Sequence, residues 1–222
     1  MKYILTLMLL SLSLRDVRAQ SVDSCDVMST EKNIILSLLL PKGIAEGIVL
    51  RSYIRSNSWK DYIQSHTPRE SLDEIYFVAD ELCHSTNKQR PLFATCIAVL
   101  DHKTIPIKLP FGLSISLPLT LESAADYSAR VSQLPQHIYI RENPDVDKLQ
   151  HFFFSAFFES VLKMNWLVRL LGEAVEIGED LFVIGGVNDP RDKHANNDGI
   201  SFGEHGDDLP LVAPSTYLTP NP

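Results

Sequence analysis

The chain has 222 residues and carries 28 Asp plus Glu against 20 Lys plus Arg, a formal charge of −8. That balance excludes a binder of nucleic-acid backbone, which needs a basic footprint. The length suits one domain or two small ones.

The first residues read as an export signal. Lys2, the apolar and hydroxyl run from Tyr3 to Leu14, and Val17-Arg18-Ala19 predict a signal peptide over residues 1–19, cleaved after Ala19. A bilayer span needs about 20 apolar residues, and Arg15 and Asp16 interrupt this run well short of that. Val22-Asp23-Ser24, ahead of Cys25, lacks the leucine and small residues of a lipoprotein cleavage box. Cleavage removes Lys2, Arg15, Arg18 and Asp16, which moves the formal charge from −8 to −10. The most apolar later region, 152–171, contains Glu159, Lys163 and Arg169, so no transmembrane span is expected in the mature chain. The expected location is periplasmic or secreted. The expected partner is a cell-envelope component or a membrane surface. In such a compartment Cys83 and Cys96, which flank a predicted turn, are the favoured disulfide among the pairings open to Cys25, Cys83 and Cys96.

From residue 20 to 142 the pattern predicts an α+β region. Ile34, Ile35, Leu38 and Leu39, then Ala45, Ile48, Val49 and Tyr53, recur at helical spacing, with Pro41-Lys42-Gly43 breaking them into two short helices. Ser71-Leu72-Asp73-Glu74 has the form of a capping box, so a helix is expected over 72–84. From Ile105 to Leu121 every odd position is apolar and every even one is not, which is strand alternation. Pro106, Pro110 and Pro118 place this strand at an edge or turn it into a hairpin at Pro110-Phe111-Gly112. Leu92–Leu100 is its expected neighbour, and one sheet face packed on the core is the favoured reading. Ser123 reads as the cap of a short helix, and Gln136–Arg141 as a brief strand.

A helical unit is expected over residues 143–206, opened by Asn143-Pro144-Asp145, with a loosely ordered, Pro-rich tail at 207–222. The fold class is therefore α+β: N-terminal helices and a small antiparallel sheet, followed by a C-terminal helical bundle unit.

Candidate chemistry is confined to that unit. Asp147 and His151 are four apart and share a helix face that continues through Ser155 and Glu159. Glu173, Glu176 and Asp180 fall on one side of the next predicted helix, Trp166–Phe182, and Asp192 and Asn196 are again four apart, with Gly199 and Gly203 continuing the spacing. Packed antiparallel, three such stripes would meet inside a bundle, which is how carboxylate and histidine metal sites are built. A buried acidic cluster must be compensated by protons, by Arg191 or Arg169, or by a cation. The metal candidates are thus Asp147, His151, Glu173, Glu176, Asp189 and Asp192, and the catalytic candidates His151, Asp147 and Glu176, with a divalent metal ion as the only cofactor envisaged. A regular calcium loop is excluded by spacing: with Gly199 at loop position 6, His194 falls at 1 and His205 at 12, where oxygen ligands are required.

Asp147-Lys148-Leu149-Gln150-His151-Phe152 resembles the D-K-x-x-H-F opening of the VanZ-like family and of related predicted periplasmic lipoproteins. Glu173 and Glu176 would match that family's glutamate-bearing helix. Asp189, Asp192, Ala195, Asn196 and Gly199 would match its D-x-x-D-x-x-A-N-x-x-G segment. The resemblance covers residues 147–203 and implies a compact helical unit acting at the bacterial cell envelope, with some members linked to glycopeptide-antibiotic tolerance. Members of the VanZ type are membrane-embedded, whereas these helices carry Glu159, Lys163 and Arg169.

Three functions follow as expectations. The first is an exported envelope protein of unassigned activity with an internal Asp/His/Glu polar site. The second is a metal-dependent hydrolase acting on a phosphorylated or lipid-linked envelope substrate. The third is a secreted binding module using the 105–121 ribbon.

Overall fold

A computed structural model describes residues 42–84, 87–108, 114–120, 122–139, 145–182, 189–205 and 212–219. The expected signal segment, Cys25, the 34–39 helix and the Asn143-Pro144 cap lie outside these residues.

The described chain is helical. Helices α1 (Ile44–Ile54), α2 (Asn57–Ser65), α3 (Pro68–Cys83) and α4 (Gln89–Ala98) precede a two-stranded ribbon, β1 (Thr104–Lys108) and β2 (Ser114–Pro118). Helices α5 (Ala124–Val131), α6 (Val146–Leu162), α7 (Asn165–Phe182) and α8 (Pro190–His205) follow, and a single 3-10 turn, Pro214–Tyr217, comes last.

The expected α+β class is corrected by this architecture, because the described residues are mostly helix and their strand pairing is limited to the two-stranded ribbon. The alternating 105–121 segment folds back on itself as an antiparallel pair, with Ile105 opposite Leu117 and Ile107 opposite Ile115. Its expected neighbour, Leu92–Leu100, is mostly helix instead. In α4, Leu92, Ala94, Thr95, Cys96 and Ala98 are all buried, because α1, α3 and α6 pack around it. A helix enclosed on several sides has no polar face and hence no period to distinguish it from a buried strand. The brief strand expected at Gln136–Arg141 is likewise absent from 136–139. The Ile138 and Tyr139 amides donate to the buried Asp145 carboxylate at 3.1 and 2.8 Å, so a side chain satisfies what a ladder would have.

Helix α3 begins earlier than its apparent capping box. Thr67 is the cap: its hydroxyl accepts from the Glu70 amide at 3.3 Å, and the Glu70 carboxylate accepts from the Thr67 amide at 2.7 Å. Ser71 lies inside the helix and donates to the Thr67 carbonyl at 3.0 Å. Ser123 does cap α5, accepting from the Asp126 amide at 3.1 Å.

One core runs through the whole array, from Leu50, Ile54, Trp59, Ile75 and Leu92 to Leu149, Phe152, Phe153 and Phe202. The last part of the chain joins it. Leu218 is buried, Tyr217 lies 5.4 Å from Phe202 between ring centroids, and the Ser215 amide and hydroxyl donate to Asp73 at 2.7 and 2.6 Å. The tail expected to be loose is therefore fastened over 212–219. The expected Cys83–Cys96 disulfide is not formed: both are free thiols, buried on α3 and α4.

The C-terminal helices run up, down and up. Residue pairs between α6 and α8 rise together, Lys148 with Asp192, Ser155 with Asn196 and Ala156 with Gly203, so these two helices are parallel. Pairs between α7 and α8 run oppositely, Asn165 with Glu204 and Arg169 with Asn197. The expectation that the polar stripes meet antiparallel fails for the first and third, because α7 makes the return between them. Gly199 and Gly203 allow the close approach of α8 to α6. A Cβ on Gly199 would sit 2.9 Å from the Phe152 carbonyl carbon and nearer still to its oxygen, and one on Gly203 would sit 2.9 Å from Glu159 Cβ.

Candidate functional site

The parallel alignment brings the start of α6 against the start of α8. Asp189 precedes α8 and accepts from the Arg191 amide at 3.0 Å, which fixes the first turn; the Asp189 carbonyl accepts from the Asp192 amide at 2.9 Å. Asp192 then points inward, only 4% exposed. From α6 comes Lys148, fully buried, whose ammonium meets three carboxylates: Asp147 at 2.6 Å, Asp189 at 3.2 Å, and Asp192 through a short bond. His151 Nε2 lies 3.3 Å from the same Asp192 oxygen. Arg191 closes the outer side, with Nε donating to Asp189 at 2.7 Å and Nη2 at 2.5 Å. One turn deeper, the Ser155 hydroxyl donates to Asn196 Oδ1 at 2.8 Å.

Four of the six metal candidates, Asp147, His151, Asp189 and Asp192, are thus brought together. Glu173 is exposed and stands outside the group. The Glu176 side chain lies outside the described residues.

The electrostatics follow from burial and pairing. Burial pushes the Asp192 carboxyl above its ordinary value, although His151 and Lys148 pull it back. Burial also opposes the Lys148 charge, but hydrogen bonds to Asp147 and Asp192 outweigh it and leave the ammonium harder to deprotonate than usual. The Arg191 guanidinium holds the Asp189 carboxyl well below the usual carboxylate range. Two cations therefore face three carboxylates, and the His151 ring nitrogen stands beside the most buried of them, Asp192. Among the described residues no group of three or more His, Cys, Asp or Glu side chains is arranged to hold a metal ion. The centre of the carboxylates contains the Lys148 ammonium.

Two features escaped the sequence reading. The first is Lys148 itself, which was passed over in favour of Arg191 and Arg169 as compensating charge; Arg169 instead donates to Asn197 at 2.5 Å on the flank of α8 that faces α7. The second is a separate cluster around Glu122. Arg130, fully buried, donates to Glu122 at 2.7 and 3.0 Å, Arg55 donates at 2.7 Å, and Arg51 lies 3.5 Å away. Arg51 and Arg130 also donate to the Ile97 and Ala98 carbonyls, both at 2.9 Å, where α4 ends and its carbonyls lack helical partners. Burial lowers the Arg51 guanidinium to about 10 despite Glu122. The pair Arg51 and Arg55, four apart at the end of an apolar helix and on its cap, was the available signal for this cluster.

A hollow of about 250 Å³ lies between α2, α3 and the end of α5, lined by Ile63, His66, Ser71 and Gln133 among others. It holds none of the candidate residues. No family model, curated protein or solved structure matches the chain.

Proposed function

We propose that the chain is an exported cell-envelope protein that acts by binding, and that the Lys148-centred cluster fastens α6 to α8 rather than carrying out a reaction. The observation that carries this reading is the position of the Lys148 ammonium. It occupies the place among Asp147, Asp189 and Asp192 that a catalytic divalent ion would need, and it is fully buried. A lysine with a raised affinity for its proton is also a poor base or nucleophile at neutral pH. A metal-dependent hydrolase working on a phosphorylated or lipid-linked substrate draws no support from this arrangement. Export rests on the Lys2 to Ala19 pattern, and the envelope setting on the resemblance of residues 147–203 to the VanZ-like family. With Lys148 and Arg191 spent on Asp147, Asp189 and Asp192, the cluster leaves binding to the surface of the fold.

Metal analysis of the purified chain, with thermal melting before and after chelation, tests the non-catalytic part. The expected result is no stoichiometric metal and an unchanged Tm; a bound metal whose removal lowers Tm would overturn it. Amino-terminal sequencing of protein recovered outside the cytoplasm tests export, with Gln20 expected as the first residue.

A further inference from the structure

We propose that the corner where α6 turns into α7 docks on a bilayer surface that carries anionic headgroups. This proposal rests on the binding reading above and names the partner.

The exposed large apolar side chains of the described residues all fall between 158 and 171. They are Phe158 at 38%, Val161 at 46%, Met164 at 41%, Trp166 at 65%, Leu170 at 52% and Leu171 at 38%. A single such residue needs no explanation, but a contiguous group at one corner marks an interaction site. The corner is ordered by its own packing. Lys163 ends α6 in a left-handed conformation, φ 51°, with its amide donating to the Glu159 carbonyl at 2.8 Å. Val168 is buried, while Trp166 and Leu170, four apart, face outward.

Charge selects among possible partners. In a chain of net charge −8, residues 160–172 contain Lys163 and Arg169 and no acidic residue. Both cations are exposed beside the apolar group. The nearest acids limit its depth: Glu159 is buried beneath it, Glu173 is exposed one turn beyond, and Glu204 is bonded by Asn165. An apolar tip with basic neighbours and a tryptophan at its edge matches the acyl-headgroup boundary of an anionic leaflet. A convex helical corner also needs no matching cavity on a lipid surface, as it would on a folded protein. Among the described residues no helix is long and apolar enough to cross a membrane, so the contact is peripheral.

The two tryptophans make the test selective. Trp59 is fully buried, with its indole N–H bonded to the Gln133 carbonyl at 2.9 Å, so a change in emission on adding vesicles reports Trp166. Co-sedimentation alone would also count lipid contacts of the apolar run from Tyr3 to Leu14. The full chain is therefore titrated with vesicles of equal phosphatidylglycerol and phosphatidylcholine, with and without brominated acyl chains. The expected result is a blue shift of Trp166 and its quenching by the brominated lipid. Partitioning should be about tenfold weaker for the K163Q/R169Q variant or in high salt. Leu170→Glu, an exposed change that leaves the far-ultraviolet circular dichroism and Tm intact, should abolish it. No shift with lipid overturns the proposal, as does equal binding to pure phosphatidylcholine. A shift that grows with protein concentration in the absence of lipid also overturns it and identifies a second copy as the cover. Such negative results leave the binding reading standing. A metal whose removal lowers Tm retires that reading whatever Trp166 does.

Discussion

Lys148→Met removes the ammonium at the centre of the α6–α8 cluster while keeping most of its stem volume. Asp192, whose side chain is 5% exposed, would then hold a buried carboxylate with the His151 ring nitrogen at 3.3 Å and no ammonium bonded to it. Stranding one member of a buried ion pair costs about 3–5 kcal/mol. A second route gives a similar figure. The variant can escape the stranded charge by protonating Asp192, and at about 1.36 kcal/mol per pH unit this costs roughly 4 kcal/mol at pH 7 for a group whose ordinary value is 3.8. Near pH 4.5 the same proton costs only about 1 kcal/mol. The sign follows from linkage: the folded variant holds a proton that the unfolded chain has released, so its stability falls as pH rises above 3.8. Urea denaturation of wild type and variant at pH 7 and at about pH 4.5 measures both deficits. We expect about 3–5 kcal/mol at neutral pH and about 1 kcal/mol in acid, with Lys148→Met/Asp192→Asn recovering most of the neutral loss. A neutral deficit below about 1 kcal/mol, or one equal at both pH values, would refute the account of Lys148 as the paired cation.

At the other cluster, burial pushes the Glu122 carboxyl up, but Arg130, Arg51 and Arg55 more than reverse this and leave it below its ordinary 4.5. Its stabilisation is therefore present above about pH 4.5 and lost as pH falls through the depressed value; Glu122→Gln should cost about 3–5 kcal/mol at pH 7 in a urea melt and flatten the acid limb of the stability profile. Gly199→Ala, which on an open helix face would stabilise by about 0.5–1 kcal/mol, should instead destabilise by about 1–3 kcal/mol, because its methyl group meets the Phe152 backbone. A stabilised G199A protein would contradict the parallel packing of α6 on α8. Burial pushes the Cys83 thiol up to about 12 and Cys96 well above its ordinary value, so a Cys25→Ser chain should show no thiol reactive toward an aromatic disulfide at pH 8 until urea is added.

Local chemistry along the chain was enough to place most helices. The Ser123 cap, the apolar spacing that follows Asp145, and the stretch from Trp166 to Phe182 depend on neighbours a few residues away, and all appear as helix. The start of α3 was legible too. Two boxes of the same form lie four residues apart, and Pro68, which suits the first turn and no later one, decides for Thr67. The polar face of α6 was drawn one residue off in its first two turns. Asp147, His151, Ser155 and Glu159 share a face by spacing, but the stripe that is buried runs through Lys148, Phe152, Ser155 and Glu159. Periodicity ranks faces by their polarity, and a lysine counts as exposed until a partner helix supplies its counter-charges. Those counter-charges, Asp189 and Asp192, lie more than 40 residues away, and which end of α6 they reach depends on whether α8 runs parallel or antiparallel to it. That direction is set by the return through α7 and by the glycine contacts at Gly199 and Gly203. For the same reason α4 could not be recognised as a helix beforehand, since its surroundings are supplied by α1, α3 and α6. Helix ends and amphipathic faces are local properties and were present in the sequence; the identity of the cation among the carboxylates is a property of two helices packed together, and only the tertiary structure decided it.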